Sequence, residues 1–221
     1  MAVKRYHQYC PVAHALDLIG DRWALLIVRE LMLGQRRYTD LADALPGIGT
    51  NILAGRLRQL ESAGVVRRTK LPPPAAVTVY ELTADGRALD DVLRSLAHWG
   101  GRTMGSPEVD DCWSTYAVHM RFRPEAAVDG TYEIRFAGGE VMSVEVRDGA
   151  LTTVRGEAQE PTLVVEAEPA GLHTLIEQLE PLDAIIARGD LRLVVGSEAE
   201  LAVFAGMFAP SGESRTAAAA A

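Results

Sequence analysis

The chain has 221 residues, of which 48% are hydrophobic and 24% charged, with a formal net charge of −8. This composition excludes a disordered or collagen-like chain and allows two globular domains, each with its own core. The negative total argues against nucleic-acid binding only until the halves are separated: residues 1–105 hold 14 Lys and Arg against 10 Asp and Glu, whereas residues 106–221 hold 8 against 20, so the first half can meet phosphates and the second repels them.

In chain order, Pro11 is placed to open a helix, because its fixed φ suits the first helical position and its missing N–H costs nothing there. Val12, Ala15, Leu16 and Ile19 fall on one face of that helix, and Gly20-Asp21 ends it. A second helix carries Trp23, Leu26, Ile27, Leu31 and Leu33 as its apolar stripe and stops at Gly34. Thr39 is the expected N-cap of a short helix that Pro46-Gly47 terminates. A longer helix then runs from about Thr50 to Ala63 and is closed by Gly64. Leu53, Leu57 and Leu60 form its inward stripe. Asn51, Ile52, Gly55, Arg56 and Gln59 are expected on its outer face, with Arg58 and Ser62 at the margin. A short helix, a tight turn and a longer helix with a polar outer face make the helix-turn-helix layout, whose second helix enters the major groove of double-stranded DNA.

Val65–Leu71 and Val77–Leu82 read as two strands joined by the stiff Pro72-Pro73-Pro74 tip. Arg67, Arg68 and Lys70 put positive charge on this hairpin, and Arg37 adds to it before the short helix. The expected DNA-contacting set is therefore Arg37, Thr50, Asn51, Ile52, Gly55, Arg56, Arg58, Gln59, Arg67, Arg68 and Lys70. A helix beginning at Thr83 carries Leu89, Val92, Leu93, Leu96 and Trp99 on its apolar side, and a linker is expected over Gly100 to Glu108.

Cys10-Pro11, Gly20-Asp21-Arg22-Trp23, Arg37-Tyr38, Leu45-Pro46-Gly47-Ile48, Arg56 to Glu61, Gly64-Val65-Val66 and Tyr80-Glu81-Leu82-Thr83 occur in that order. This series resembles the HxlR family of bacterial winged-helix regulators along residues 8–100. The resemblance implies a homodimer formed through the first helix and the Thr83–Trp99 helix, hence two reading heads and an inverted-repeat operator. The family includes members that sense oxidants or electrophiles through an N-terminal cysteine, which makes Cys10 a candidate redox residue. Gly49 departs from the pattern, since many relatives place a capping Ser there.

The second half alternates between strand and helix patterns. Tyr132–Phe136, Met142–Val146, a segment from Leu151, Thr162–Glu166 and Leu191–Val195 read as strands. Ala170–Leu179, Pro181–Ala187 and a segment opened by Ser197-Glu198-Ala199-Glu200 read as helices. The run Ala187-Arg188-Gly189-Asp190-Leu191-Arg192-Leu193, followed by a helix with aromatic residues, is similar to sterol-carrier-protein-like domains over about residues 113–209. That resemblance implies an apolar tunnel able to hold a hydrophobic small-molecule effector, with Phe122, Phe136, Leu179, Ile186, Phe204, Met207 and Phe208 as its candidate lining; a filled core is the other arrangement the same residues allow.

The fold class expected is thus α+β: a winged helix-turn-helix domain over 1–105, a sterol-carrier-protein-like domain over 106–210, and a frayed tail over 211–221. Ala24 to Leu33 is too short and too charged to span a bilayer, the N-terminus has no signal-peptide core, and Cys10 and Cys112 are too few for a disulfide framework. A cytoplasmic protein without a membrane partner is expected. His7, His14, His98, His119 and His173 complete no metal-ligand spacing with the cysteines, and no nucleophile, phosphate-loop or dinucleotide motif is present. No catalysis, metal or cofactor is therefore expected. Besides a ligand-responsive regulator, the residues allow a redox regulator working through Cys10 and a lipid-binding or interaction protein.

Overall fold

A computed structural model describes residues 5–74, 76–103, 115–177 and 180–208. The chain divides into two compact units, residues 1–102 and 103–221.

In the first unit, α1 (Pro11–Ile19) is opened by Cys10 and Pro11, and α2 (Ala24–Met32) follows the turn at Gly20–Trp23. Trp23 sits in the left-handed region, φ 78°, and so precedes the helix rather than belonging to its stripe. Ile27, Val28 and Leu31 are the buried face of α2, while Leu26 points outward. Of the expected face of α1 only Ile19 is buried, beside Ala13, which was not expected there; Val12 is 67% and Leu16 45% exposed. Amphipathic spacing finds the apolar stripe of a helix without saying which body covers it.

The helix-turn-helix pair is α3 (Tyr38–Ala44) and α4 (Thr50–Ser62). The cap of α3 differs from expectation. The helix begins before Thr39, and the Asp40 carboxylate accepts from the Arg37 backbone N–H at 2.8 Å. Gly49 is the N-cap of α4 and offers no side-chain acceptor; the Tyr38 hydroxyl instead steadies this end by donating to the Thr50 carbonyl at 2.7 Å. At the other end Gly64 takes φ +73° and Val65 N–H returns to the Leu60 carbonyl at 2.9 Å, a closure that suits a residue without Cβ.

β1 (Val66–Lys70) and β2 (Thr78–Leu82) pair antiparallel as the wing, in the register Arg67↔Glu81, Arg68↔Tyr80, Lys70↔Thr78. Arg36 exchanges backbone hydrogen bonds with Tyr80 at 3.0 and 2.7 Å, which ties the segment before α3 to the wing. The single helix expected from Thr83 is broken into α5 (Ala84–Arg87) and α6 (Asp90–Gly101). Thr83 does cap α5, accepting from Gly86 N–H at 3.1 Å. Gly86 is required there, because a Cβ would lie 2.1 Å from the Val65 carbonyl oxygen. α6 continues through Gly100 and Gly101, which are therefore helical rather than the start of a linker; residues 104–108 of the expected linker lie outside the described residues.

In the second unit, α7 (Thr115–Arg121), which the hydrophobic pattern did not reveal, precedes the sheet. β3 (Gly130–Phe136), β4 (Val141–Arg147) and β5 (Ala150–Arg155) form a meander, and β6 (Leu163–Ala167) then lies parallel to β3 on its other side. α8 (Pro169–Ile176) and α9 (Leu182–Arg188) lead to β7 (Leu191–Val195), which is antiparallel to β6, and α10 (Glu198–Gly206) follows. The sheet order is β5-β4-β3-β6-β7.

Strand alternation divides the two faces of this sheet. Tyr132, Ile134, Phe136, Met142, Val144 and Val165 face a cluster completed by Val118, Leu172, Ile185, Leu201 and Phe204 from the helices. Glu133 lies on the opposite face, buried, where Arg135 donates to it at 2.7 Å and Ala158 N–H at 2.7 Å. Ser197 and Glu200 form the expected capping box of α10. The architecture is α+β throughout, with the winged helix confined to the first unit. Among the described residues no helix is long and apolar enough to cross a membrane.

Candidate nucleic-acid interface

The inward stripe of α4, Leu53, Leu57 and Leu60, is fully buried, and this burial fixes which residues the helix can present outward. Asn51, Ile52, Gly55, Arg58, Gln59 and Ser62 point away from the core, Gly55 with open space where a Cβ would stand. A bare backbone on this face allows close approach by a partner. Thr50 stands exposed at the first turn, its carbonyl held by Tyr38.

Arg56 and Arg58 exchange the places expected for them. Arg58 lies on the outward face; Arg56 lies on the flank and turns back to the α1–α2 junction. Its guanidinium donates to the Asp21 carboxylate at 2.8 Å, to the Arg22 carbonyl at 3.1 Å, and to the Gln59 side-chain oxygen. The physical reason is angular: one residue either side of Leu57 is a rotation of about 100°, so Arg56 and Arg58 leave the core on opposite flanks, and only one flank meets Asp21.

A similar division holds on the wing. Arg67 pairs with Glu81 at 3.0 Å, and the Thr69 hydroxyl donates to the same carboxylate oxygen at 2.7 Å. The Thr69 hydrogen bond first, and Arg67 second, hold the Glu81 carboxyl below its ordinary range. Arg68 and Lys70, two apart on the strand and so on its other face, are exposed and form no ion pair among the described residues. Arg37 is exposed at the N-cap of α3. Arg37, Arg58, Arg68 and Lys70 are thus among the exposed cations of this unit that form no ion pair among the described residues, and Arg5 before α1, which was not in the expected DNA-contacting set, is another.

Cys10 is at the N-cap of α1, half-buried, with no side-chain hydrogen bond to the helix. Cys112 lies outside the described residues, as do Leu179 and residues 211–221. Of the residues expected to line an apolar tunnel, Phe204, Met207 and Phe208 are fully buried, Phe136 is nearly so, and Phe122 and Ile186 are partly covered against the same cluster. Phe204 meets Phe208 at 5.1 Å and Tyr132 at 4.9 Å between ring centroids, and Phe122 meets Phe208 at 6.3 Å. These four rings pack on one another at aromatic distances within the cluster.

Comparison with known proteins bears on the first unit. Residues 18–108 match the family described as HxlR-like helix-turn-helix. The chain is 44% identical over 91 residues to an uncharacterized HTH-type transcriptional regulator of Synechocystis sp., covering 41% of this chain and 67% of that protein. It is 36% identical over 93 residues to the HTH-type regulator YvaP of Bacillus subtilis, covering 42% of this chain and 86% of the relative. With YodB of the same organism the identity is 36% over 91 residues, covering 41% and 81%.

Proposed function

This chain belongs to the HxlR-like helix-turn-helix family of transcriptional regulators, and from that premise we propose that it works as a homodimer reading an inverted-repeat operator through the outer faces of two α4 helices. The observation that carries the reading is the division of α4 itself. Leu53, Leu57 and Leu60 are fully buried while Asn51, Arg58 and Gln59 stand in solvent on a unit with unpaired basic residues. Asn51 and Arg58 supply base-edge contacts, and Arg37, Arg68 and Lys70 meet phosphates.

The dimer is supported by apolar surface left uncovered within the unit. Val12 and Leu16 on α1, and Val92, Leu96 and Trp99 on α6, are between 42% and 69% exposed. Apolar side chains this large, left in solvent on two helices of one unit, fit a second copy of the same surface. Selection of bound duplexes from a random-sequence DNA pool tests the reading. It should enrich an inverted repeat whose half-site centres are about one helical turn, or a small multiple, apart. Enrichment of a single unsymmetrical half-site would remove the dimer.

A redox input through Cys10 is a second reading, supported by its half-buried thiol at the positive end of α1. It requires that mild peroxide change DNA affinity in the wild type and leave Cys10→Ser unaffected. For the second unit the proposal is a sterol-carrier-protein-like effector domain, supported by a sheet covered by helices around one apolar core. Native mass spectrometry of the full chain, showing a co-purified hydrophobic molecule or none, decides that assignment.

A further inference from the structure

The outer face of α4 is bordered on one side by the chain's own N-terminal arm. Before α1, His7 takes a left-handed φ of 53°, and Tyr6 N–H donates to the Asp17 carboxylate at 3.0 Å, so the arm folds back along the helix. Between arm, α1 and α4 lies an open groove of about 1230 Å³. α4 contributes Asn51, Gly55 and Arg58 to it; Arg5, His7 and His14 stand among the residues on the other wall.

The charges in this groove are not balanced. Asp17 and Asp21 also line it, but Asp17 is engaged by the Tyr6 N–H and Asp21 by the Arg56 guanidinium. Arg5 and Arg58 have no carboxylate partner among the described residues. Asp17 keeps its charge, so the groove carries an excess of one positive charge, and the wall opposite α4 offers a ligand the Arg5 guanidinium and two imidazoles.

The dimensions of DNA say what such a groove meets. A helix about 10–12 Å across fills a major groove about 12 Å wide. The phosphodiester strands that bound the major groove then have to run beside α4, in whatever hollow flanks it. We propose that the groove between the N-terminal arm and α4 receives one phosphodiester strand of the bound duplex, with Arg5 as the arm's phosphate ligand and His7 and His14 as hydrogen-bond donors. This rests on the DNA-binding reading above and adds to it an element that precedes residue 18, where the family match begins. Contacts of this kind position the protein without carrying sequence information.

The test is fluorescence anisotropy of the full-length protein on duplexes selected from a random pool, and on an unselected duplex, between 50 and 200 mM salt. Neutralising one B-DNA phosphate contributes about 0.9 to the slope of log affinity against log salt, so with one Arg5 in each of two protomers wild type should lose about 12-fold more affinity than Arg5→Ala across this fourfold range. Arg5→Ala should weaken both duplexes alike with no change in base preference, and Arg5→Lys should restore the wild-type slope. Arg5 is exposed, so neither variant disturbs the fold. An unchanged slope in Arg5→Ala, or a changed base preference, overturns the proposal while Arg68→Ala still reports phosphate binding by the wing. Failure of the wild type to bind either duplex overturns the DNA-binding reading itself, and this inference with it.

Discussion

Arg56 fastens the outward-facing helix to the turn before it: its guanidinium bridges the Asp21 carboxylate at 2.8 Å and the Arg22 carbonyl at 3.1 Å. The side chain also holds the Gln59 amide oxygen. Arg56 therefore acts inside the protein, setting the angle at which α4 leaves the core. Asp21 is half-exposed and the pair is screened, so Asp21→Ala should cost only about 0–1 kcal/mol in urea denaturation. Its effect on DNA should be larger, because a loosened α4 has to be ordered again on binding. Equal DNA affinity in Asp21→Ala and wild type would show that this fastening has no part in recognition.

Base readout and phosphate contact separate by variant. Asn51→Ala and Arg58→Ala should each cost about 1–3 kcal/mol on the selected operator and relax preference at particular base pairs. Arg68→Ala and Lys70→Ala should weaken all duplexes alike and each lower the salt slope by about 0.9 per protomer, about 1.8 for the dimer. Quantitative binding across single-base operator variants distinguishes the two patterns, and a uniform loss in Arg58→Ala would move that residue to the phosphate group.

The uncovered stripe on α6 predicts the oligomeric state. Leu96→Glu and Trp99→Glu replace side chains that are 44% and 69% exposed, so each unit should stay folded. A buried carboxylate at a subunit interface is costly unless paired. Sedimentation of these variants should shift toward monomer, with unchanged circular dichroism. A wild-type chain that is already monomeric at micromolar concentration would leave the stripe without this occupant.

Glu81 gives the wing an acid-side sensitivity of defined sign. Its carboxyl is held below its ordinary value of 4.5 by Thr69 and then Arg67. A lowered folded pKa contributes stability that is present above the ordinary value and is lost as pH falls through the lowered one. Amide exchange of the β1–β2 ladder should therefore quicken on acidification below about pH 4.5. Glu81→Gln should exchange faster at neutral pH and lose that dependence. A wing whose protection in Glu81→Gln still falls with acid in the wild-type manner would assign the sensitivity elsewhere.

Gly86 is the narrowest point between α5 and the wing. A Cβ there meets the Val65 carbonyl oxygen at 2.1 Å and its carbonyl carbon at 3.1 Å, backbone that cannot turn aside. Gly86→Ala should destabilise the first unit by about 1–3 kcal/mol through forced backbone shifts. Thermal denaturation of the full chain should show the transition of this unit moving down; a wild-type midpoint would mean that α5 can lift from Val65 at no cost.

The sequence alone determined the elements whose signals are local. Pro11 opened α1, Pro46-Gly47 stopped α3, Gly64 closed α4, and Ser197 with Glu200 capped α10, because each acts through its own backbone or a neighbour three or four residues away. The ordered motifs from Gly20 to Thr83 likewise carried the family without any coordinates. Tertiary structure decided what depends on partners distant in the chain. Spacing could place Arg56 and Arg58 on flanks of Leu57, but only the approach of Asp21, 35 residues away, bound one of them and left the other outward. Patterning found apolar stripes on α1 and α6, but whether a core of the same unit covers them is a property of packing. The parallel alignment of β6 with β3 joins strands separated by two others, and Phe204 of α10 and Phe208 just after it pack against Tyr132 and Phe122, which arrive from elsewhere in the chain. Side-chain periodicity records which face is apolar; the body that meets that face is chosen by contacts between segments that the periodicity of neither one contains.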